Sequence, residues 1–254
     1  MNADGRTDRP CVVILGATSD IARAIGRALG QRGFDLVLAA RDTEENAALA
    51  ADVALRTGCR AWAVALDAGD DEGHDAFVAR CVELAGERLE GVVACLGNMP
   101  PQEQAQADWR TARSIVDVNF TAGVVLLERF AAILEQRRAG WICGVSSVAG
   151  DRGRMSNYIY GSAKAGFSTY LAGLRNRLWH SGVHVVTVKP GPVDTAMTYG
   201  LDKLPFLAQP DAVGERVVRG ILKRRDVIYA PGIWRWIMLV IRYVPEWKFK
   251  RLKM

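Results

Sequence analysis

Short apolar runs alternate along this chain with longer segments of helical period. Residues 11–16, 34–40, 60–66, 91–96, 140–146 and 183–189 are dominated by Val, Ile, Leu, Ala and Cys. Their length and continuous apolar character predict strands buried on both faces of a sheet. Between them, segments 21–32, 43–57, 71–89, 109–136 and 162–181 carry apolar residues at the three- and four-residue spacing of amphipathic helices. Repeated β-α-β predicts an α/β fold: a single-domain, Rossmann-like, doubly wound parallel sheet with helices on both faces. The chain divides into a polar extension (1–10), a body carrying the strand–helix repeat (11–230) and an apolar and basic helical tail (231–254). Doubly wound sheets bind ligands beyond the carboxyl ends of their strands, so the chemistry is expected there.

The strand ends carry polar and glycine-containing motifs. The first strand runs into Gly16-Ala17-Thr18-Ser19-Asp20-Ile21, then a helix. A tight turn at a helix N-terminus offers free N–H groups and a positive dipole end to a phosphate. The same residues also suit an ordinary βα turn with Ser19 or Asp20 as cap. The second strand ends in Arg41-Asp42. Beside an adenosine ribose, an arginine accommodates a 2′-phosphate and an acid binds the 2′-hydroxyl. Arg41 comes first, so NADP(H) is expected over NAD(H). The third strand ends at Asp67, placed for an adenine edge, and the fourth at Gly97, where a backbone can approach a ligand closely.

Composition narrows the reading. The chain has 254 residues, half of them apolar, enough for one buried core. Its five cysteines have no metal-ligand spacing and read as buried thiols, and no metal site is expected. His180 and His184 are separated by Gly182, which predicts a helix end between them. The first ten residues lack the apolar region of a secretory leader, so a cytoplasmic location is expected, with association at the inner face of the membrane kept open by the tail. The net charge of +5 is uneven: from Arg216 onward there are eleven Lys/Arg and two Asp/Glu. That asymmetry suggests a local anionic partner; without a recognition motif it does not suggest nucleic acid.

The strongest chemical signal is Ser146-Ser147, followed by Tyr160-Gly161-Ser162-Ala163-Lys164. On a helix, Tyr160 and Lys164 share a face. An ammonium there is expected to lower the phenol pKa, and Ser147 is placed to orient a reacting oxygen. Tyr158 lacks such a lysine.

These residues resemble the short-chain dehydrogenases/reductases. That family has a Tyr-x-x-x-Lys helix with a serine thirteen residues before the tyrosine, the spacing of Ser147 and Tyr160. The resemblance covers about 11–195 and implies Ser147, Tyr160, Lys164 and Asn119 as catalytic residues. It further implies that Lys164 binds the ribose hydroxyls and that Asn119 holds a water in a proton relay. Pro190-Gly191-Pro192-Val193-Asp194-Thr195 matches the family's turn after the sixth strand, with Val193 and Thr195 on the nicotinamide carboxamide. The chain departs from the family at Asp20 and Ala22, where glycines are usual, and at Ala94-Cys95-Leu96-Gly97, which replaces Asn-Asn-Ala-Gly.

The tail contains an apolar segment, 233–244, ended by Pro245 and followed by an aromatic and cationic stretch, 247–253. It is too short to span a bilayer. It suits either a membrane interface with anionic lipid or a helix buried against the substrate or another subunit of a homodimer or homotetramer. Together with the Gly-Ala-Thr-Ser-Asp-Ile turn, it resembles the reductases that act on decaprenylphosphoryl-2-keto-ribose. The expected function is hydride transfer to a ketone, on a lipid-linked ketosugar or a small soluble molecule. A nucleotide-binding homologue without catalysis is the alternative. The stretch 194–210 is expected to be a lid.

Overall fold

The computed structural model describes residues 9–200 and 204–252. The expected N-terminal extension therefore lies outside the described residues up to position 8, as do 201–203 of the expected lid and Lys253. The strands are β1 (Cys11–Leu15), β2 (Asp35–Ala40), β3 (Ala61–Ala65), β4 (Leu89–Ala94), β5 (Trp141–Val145), β6 (His184–Pro190) and β7 (Val227–Ala230). The helices are α1 (Asp20–Gly30), α2 (Thr43–Thr57), α3 (His74–Ala85), α4 (Gln102–Ala107), α5 (Trp109–Val116), α6 (Ala122–Arg137), α7 (Tyr158–Trp179), α8 (Pro210–Leu222), α9 (Trp234–Tyr243) and α10 (Glu246–Phe249). All seven strands are parallel, in the order β3-β2-β1-β4-β5-β6-β7.

Strand alternation explains the continuous apolar runs. Val12 and Ile14 pack on one face with Ile25 of α1, Val53 of α2 and Val217 of α8. Cys11, Val13 and Leu15 pack on the other with Phe77 of α3, Leu127 of α6 and Leu171 of α7. Successive side chains point to opposite faces, and here both faces are covered, so no position on β1 is free to be polar. A fully buried side chain such as Ile14 contributes about 1.5–3 kcal/mol.

The structure departs from the sequence pattern in several places. β3 is an edge strand, partly exposed rather than buried on both faces. α8 and β7 complete the core in the last part of the expected 11–230 domain, where the pattern had marked neither a helix nor a strand. α3 begins only at His74, and Gly86 ends it. α7 starts at Tyr158, four residues earlier than its pattern. The expected single helix 109–136 is broken by one π turn, Asp117–Thr121, between α5 and α6.

Candidate active site

Strand order reverses between β1 and β4, and both strands end against one another. Gly16, just past β1, has φ 76°, and a Cβ there would lie 2.8 Å from the Cys95 carbonyl oxygen. Only glycine fits such a turn without strain. Ser19 caps α1: its Oγ accepts from the Ala22 N–H at 3.4 Å and donates to Cys95 Sγ at 3.4 Å. The Thr18 carbonyl accepts from Arg23 Nε at 2.9 Å, and Ile21 packs against the core. The cap thus fixes the turn and leaves a helix N-terminus facing the switch point.

Asp20 does not cap the helix. Its carboxylate accepts from the Ala196 N–H at 3.1 Å, joining this turn to the loop after β6. That loop begins where Pro190 ends β6, and the Gly191 N–H donates to the Ala230 carbonyl at 3.0 Å. Val193 is buried and bridges to Ala208, while Thr195 and Thr198 form a capping box around a short turn, Ala196–Thr198.

Arg41 follows β2, exposed and without a partner among the described residues. Asp42 is occupied, its Oδ1 accepting from the Glu45 N–H at 2.9 Å as the cap of α2. Asp67 Oδ1 accepts from the Gly69 N–H at 2.9 Å and closes an exposed turn. Arg41 and Asp67 thus sit at the β2 and β3 ends, apart from the catalytic cluster.

The residues expected to react gather at the ends of β4 and β5. Ser146 is consumed structurally, its hydroxyl donating to the Lys164 carbonyl at 2.9 Å and sharing a 2.7 Å bond with Ser168. Ser147 accepts from the Ala149 N–H at 3.1 Å, and its hydroxyl acts on the Tyr160 phenol to lower its pKa. The Tyr158 hydroxyl accepts from Gln106 Nε2 at 2.9 Å, on the surface. Lys164 is 3% exposed and donates to the carbonyls of Leu96 at 3.0 Å and Val145 at 3.3 Å.

Burial decides the electrostatics. It pushes the Tyr160 phenol up to about 12, opposed by the Ser147 hydrogen bond. It pulls Lys164 down to about 8. The expectation that Lys164 lowers the Tyr160 pKa is therefore corrected: the ammonium lies 5.8 Å from the ring centre and spends its bonds on carbonyls. The protonated phenol is the resting state.

The π turn positions Asn119. It lets the side-chain Nδ2 donate to the Ile115 carbonyl at 2.9 Å, while the Asn98 carbonyl and side-chain oxygen each lie at 2.8 Å. The Asn119 Oδ1 is buried with no partner. A Cβ on Gly97 would sit 2.9 Å from that oxygen and 3.4 Å from Lys164 Nζ. Asn119, Gly97 and Lys164 therefore border one space, with an acceptor and a cation facing it. The bonds from Lys164 to backbone carbonyls, the Asp20–Ala196 link and the π turn are contacts that the spacing of residues did not announce.

Comparison with known proteins bears on this arrangement directly. A family model described as short chain dehydrogenase matches residues 10–203. The chain belongs to the short-chain dehydrogenase family. Such an assignment makes it an NAD(P)-dependent oxidoreductase. An uncharacterized oxidoreductase of Mycobacterium tuberculosis is 32% identical over 241 residues, covering 95% of this chain and 96% of that one. Sulfoacetaldehyde reductase 2 of Chromohalobacter salexigens is 30% identical over 192 residues, 74% of each chain. The solved short-chain dehydrogenase from Sphingobium yanoikuyae in complex with NADPH is similar with a TM-score of 0.80 at 26% identity, over 93% of this chain and 97% of that one.

Proposed function

We propose that this chain is an NADPH-dependent carbonyl reductase whose ketone is carried on a lipid, met at an anionic membrane surface. Polyprenylphosphoryl-2-keto-ribose is the member of that class to test first. The observation that carries the reading is α9, which has two unlike faces. Trp234 and Met238 are buried against Val148, the residue after Ser147. Trp236, Val240 and Tyr243 are exposed on the other side, with Trp247 beyond. Arg235, Arg242, Lys248, Lys250 and Arg251, all exposed, are interspersed with them in sequence, Arg235 lying over the Trp236 ring and Lys248 over the Trp247 ring. An apolar face ringed by cations suits anionic headgroups, and it lies one helix away from the reacting groups. No helix among the described residues is long and apolar enough to cross a membrane, so the proposed contact is peripheral.

The residues fit a nicotinamide dinucleotide. The turn Gly16–Ile21 would hold the diphosphate at the α1 N-terminus, and Arg41 the 2′-phosphate. Val193 and Thr195 would meet the carboxamide, and Lys164 the ribose hydroxyls. When bound, the cofactor supplies the hydride. Tyr160 gives its proton to the carbonyl oxygen, which Ser147 orients by hydrogen bonding. Burial keeps that proton on the phenol at neutral pH, the state a reductase needs. Asn119 Oδ1 accepts from a water that returns the proton to Tyr160.

A titration with NADPH and NADH, followed by tryptophan quenching, tests the cofactor half. Tighter NADPH binding that Arg41→Ala removes supports it; an equal loss for both cofactors discards the Arg41 role. NADPH consumption with a dispersed polyprenylphosphoryl ketosugar tests the substrate half, with co-sedimentation on anionic vesicles as the second readout. A protein that stays off the vesicles and self-associates through α9 would replace the membrane with a second copy. A second reading draws on the sulfoacetaldehyde reductase similarity: a small soluble carbonyl compound. Turnover of small ketones or aldehydes, with none of the lipid-linked one, would establish it.

A further inference from the structure

The chain between β6 and α8 is anchored near both ends. At the first end, the Asp194 N–H donates to the Ala208 carbonyl at 2.9 Å and the Ala208 N–H to the Pro192 carbonyl at 3.1 Å. At the second, α8 is fastened beside α1: Arg27 pairs with Asp211, and Arg32, just past α1, pairs with Glu215 at 2.5 Å. Between these anchors lies the turn Asp194–Tyr199. Thr195 and Thr198 bond each other, and both hydroxyls donate to the Val193 carbonyl, so the turn is stiff within itself. Among the described residues, one hydrogen bond joins this turn to α1. The Ala196 N–H donates to the Asp20 carboxylate at 3.1 Å.

That bond spans a cleft of about 450 Å³, to which α1 contributes Asp20 and the turn contributes Asp194, Thr195, Ala196 and Tyr199. The next residue, Met197, carries the turn onto the catalytic cluster. Its Cε lies 3.8 Å from the point where a Cβ on Gly97 would sit, the same point that is 2.9 Å from Asn119 Oδ1 and 3.4 Å from Lys164 Nζ. The segment tied by Asp20 therefore borders the space that Asn119 and Lys164 face. A carboxylate in the first turn of a helix is favoured by the dipole, and its bond to a backbone N–H is charge-assisted and stronger than a neutral one. An acid at position 20 thus has a use in this chain, directed across the cleft to Ala196.

We infer that Asp20 is a positioning residue, a latch that holds the turn Asp194–Tyr199 over the nicotinamide end of the site and slows exchange of the dinucleotide. The inference rests on the cofactor reading of this cleft and adds which residue governs entry and exit. The latch would link the two ends of one bound molecule, since the turn Gly16–Ile21 would hold the diphosphate and Thr195 the carboxamide. With glycine at position 20, the turn keeps both anchors and loses the tie between them.

The test reads the turn and the cofactor separately. In cofactor-free protein, amide hydrogen exchange over 194–199 is followed by mass spectrometry. Asp20→Gly is expected to exchange about tenfold faster there than the wild type, and Asp20→Asn, which keeps an acceptor without the charge, to fall between. Exchange in β1 and α8 is expected to match the wild type, which separates a freed turn from a loosened fold. In the second arm, release of NADPH from a preformed complex is followed by stopped-flow nicotinamide fluorescence. Asp20→Gly is expected to release it about three- to tenfold faster. If Asp20 did no more than repel the diphosphate, the sign would be opposite, because removing a like charge slows release. Equal exchange over 194–199 in all three proteins overturns the latch, and so does NADPH release from Asp20→Gly that is slower or unchanged. A turn that loosens in Asp20→Gly, in a protein that binds no NADPH, keeps the tie and removes the cofactor reading instead.

Discussion

The catalytic cluster and the C-terminal helices solve opposite problems. At the cluster, polar groups are buried: Asn119, Lys164 and Tyr160 are all nearly inaccessible, and Asn119 Nδ2 and Lys164 Nζ donate to backbone carbonyls. In α9 and α10, apolar groups are exposed: Val240 is 69% and Tyr243 80% accessible. Burial of polar groups is unfavourable unless they are satisfied, so the cluster is specified from within the fold. Exposure of apolar groups in one patch implies a partner, so the tail is specified from outside it. The contrast teaches that one chain can hold a cluster positioned by its own backbone and a surface that points outward.

The comparison can be broken most decisively at Tyr160. Tyr160→Phe removes the proton and keeps the ring, and kcat is expected to fall by about 10²–10⁴-fold while NADPH affinity changes far less. A variant retaining most of its turnover would take the chemistry away from this cluster. The two faces of α9 provide the next test. Met238→Ala opens a cavity in a fully buried position and is expected to lose about 2–4 kcal/mol in chemical denaturation. Val240→Ser, on the exposed face, is expected to stay within about 0.5 kcal/mol and instead to weaken vesicle binding. Equal stability losses at both positions would mean that Val240 is covered in the protein as it exists in solution. The smallest effect is a pH dependence. As pH rises through about 8, Lys164 loses its charge while Tyr160, raised to about 12, keeps its proton. Ketone reduction in kcat/KM is therefore expected to fall above about pH 8 and to be flat just below it. A decline that begins only near pH 10 would show that the bound cofactor restores the ordinary lysine value.

Much of this was legible because it depends on neighbours in sequence. The buried strands announced themselves through apolar continuity, since both sheet faces are covered. That Tyr160 and Lys164 would share one helix, with Ser147 just past a strand, could be read from helix periodicity and a fixed spacing. The π turn at Asp117–Thr121 could not: its apolar pattern differs from that of an unbroken helix by less than one residue of phase. β7 has four residues and lies within a stretch read for its charge, so its role as an edge strand was hidden. Asp20 looked like a misfit beside a diphosphate, because its partner Ala196 lies 176 residues away. The pKa reading of Tyr160 failed for a related reason: pairwise spacing reports a neighbouring ammonium but not the depth of burial that outweighs it.

Gly191 and Trp234 have a consequence for anyone redesigning this enzyme. A Cβ at position 191 would overlap the indole nitrogen of Trp234, so the turn after β6 and the first residue of α9 share one volume. The two positions form a single exchangeable unit. A tail transplanted from a relative will seat only if the recipient keeps glycine at 191, and a library that varies 191 alone will select against its own C-terminus.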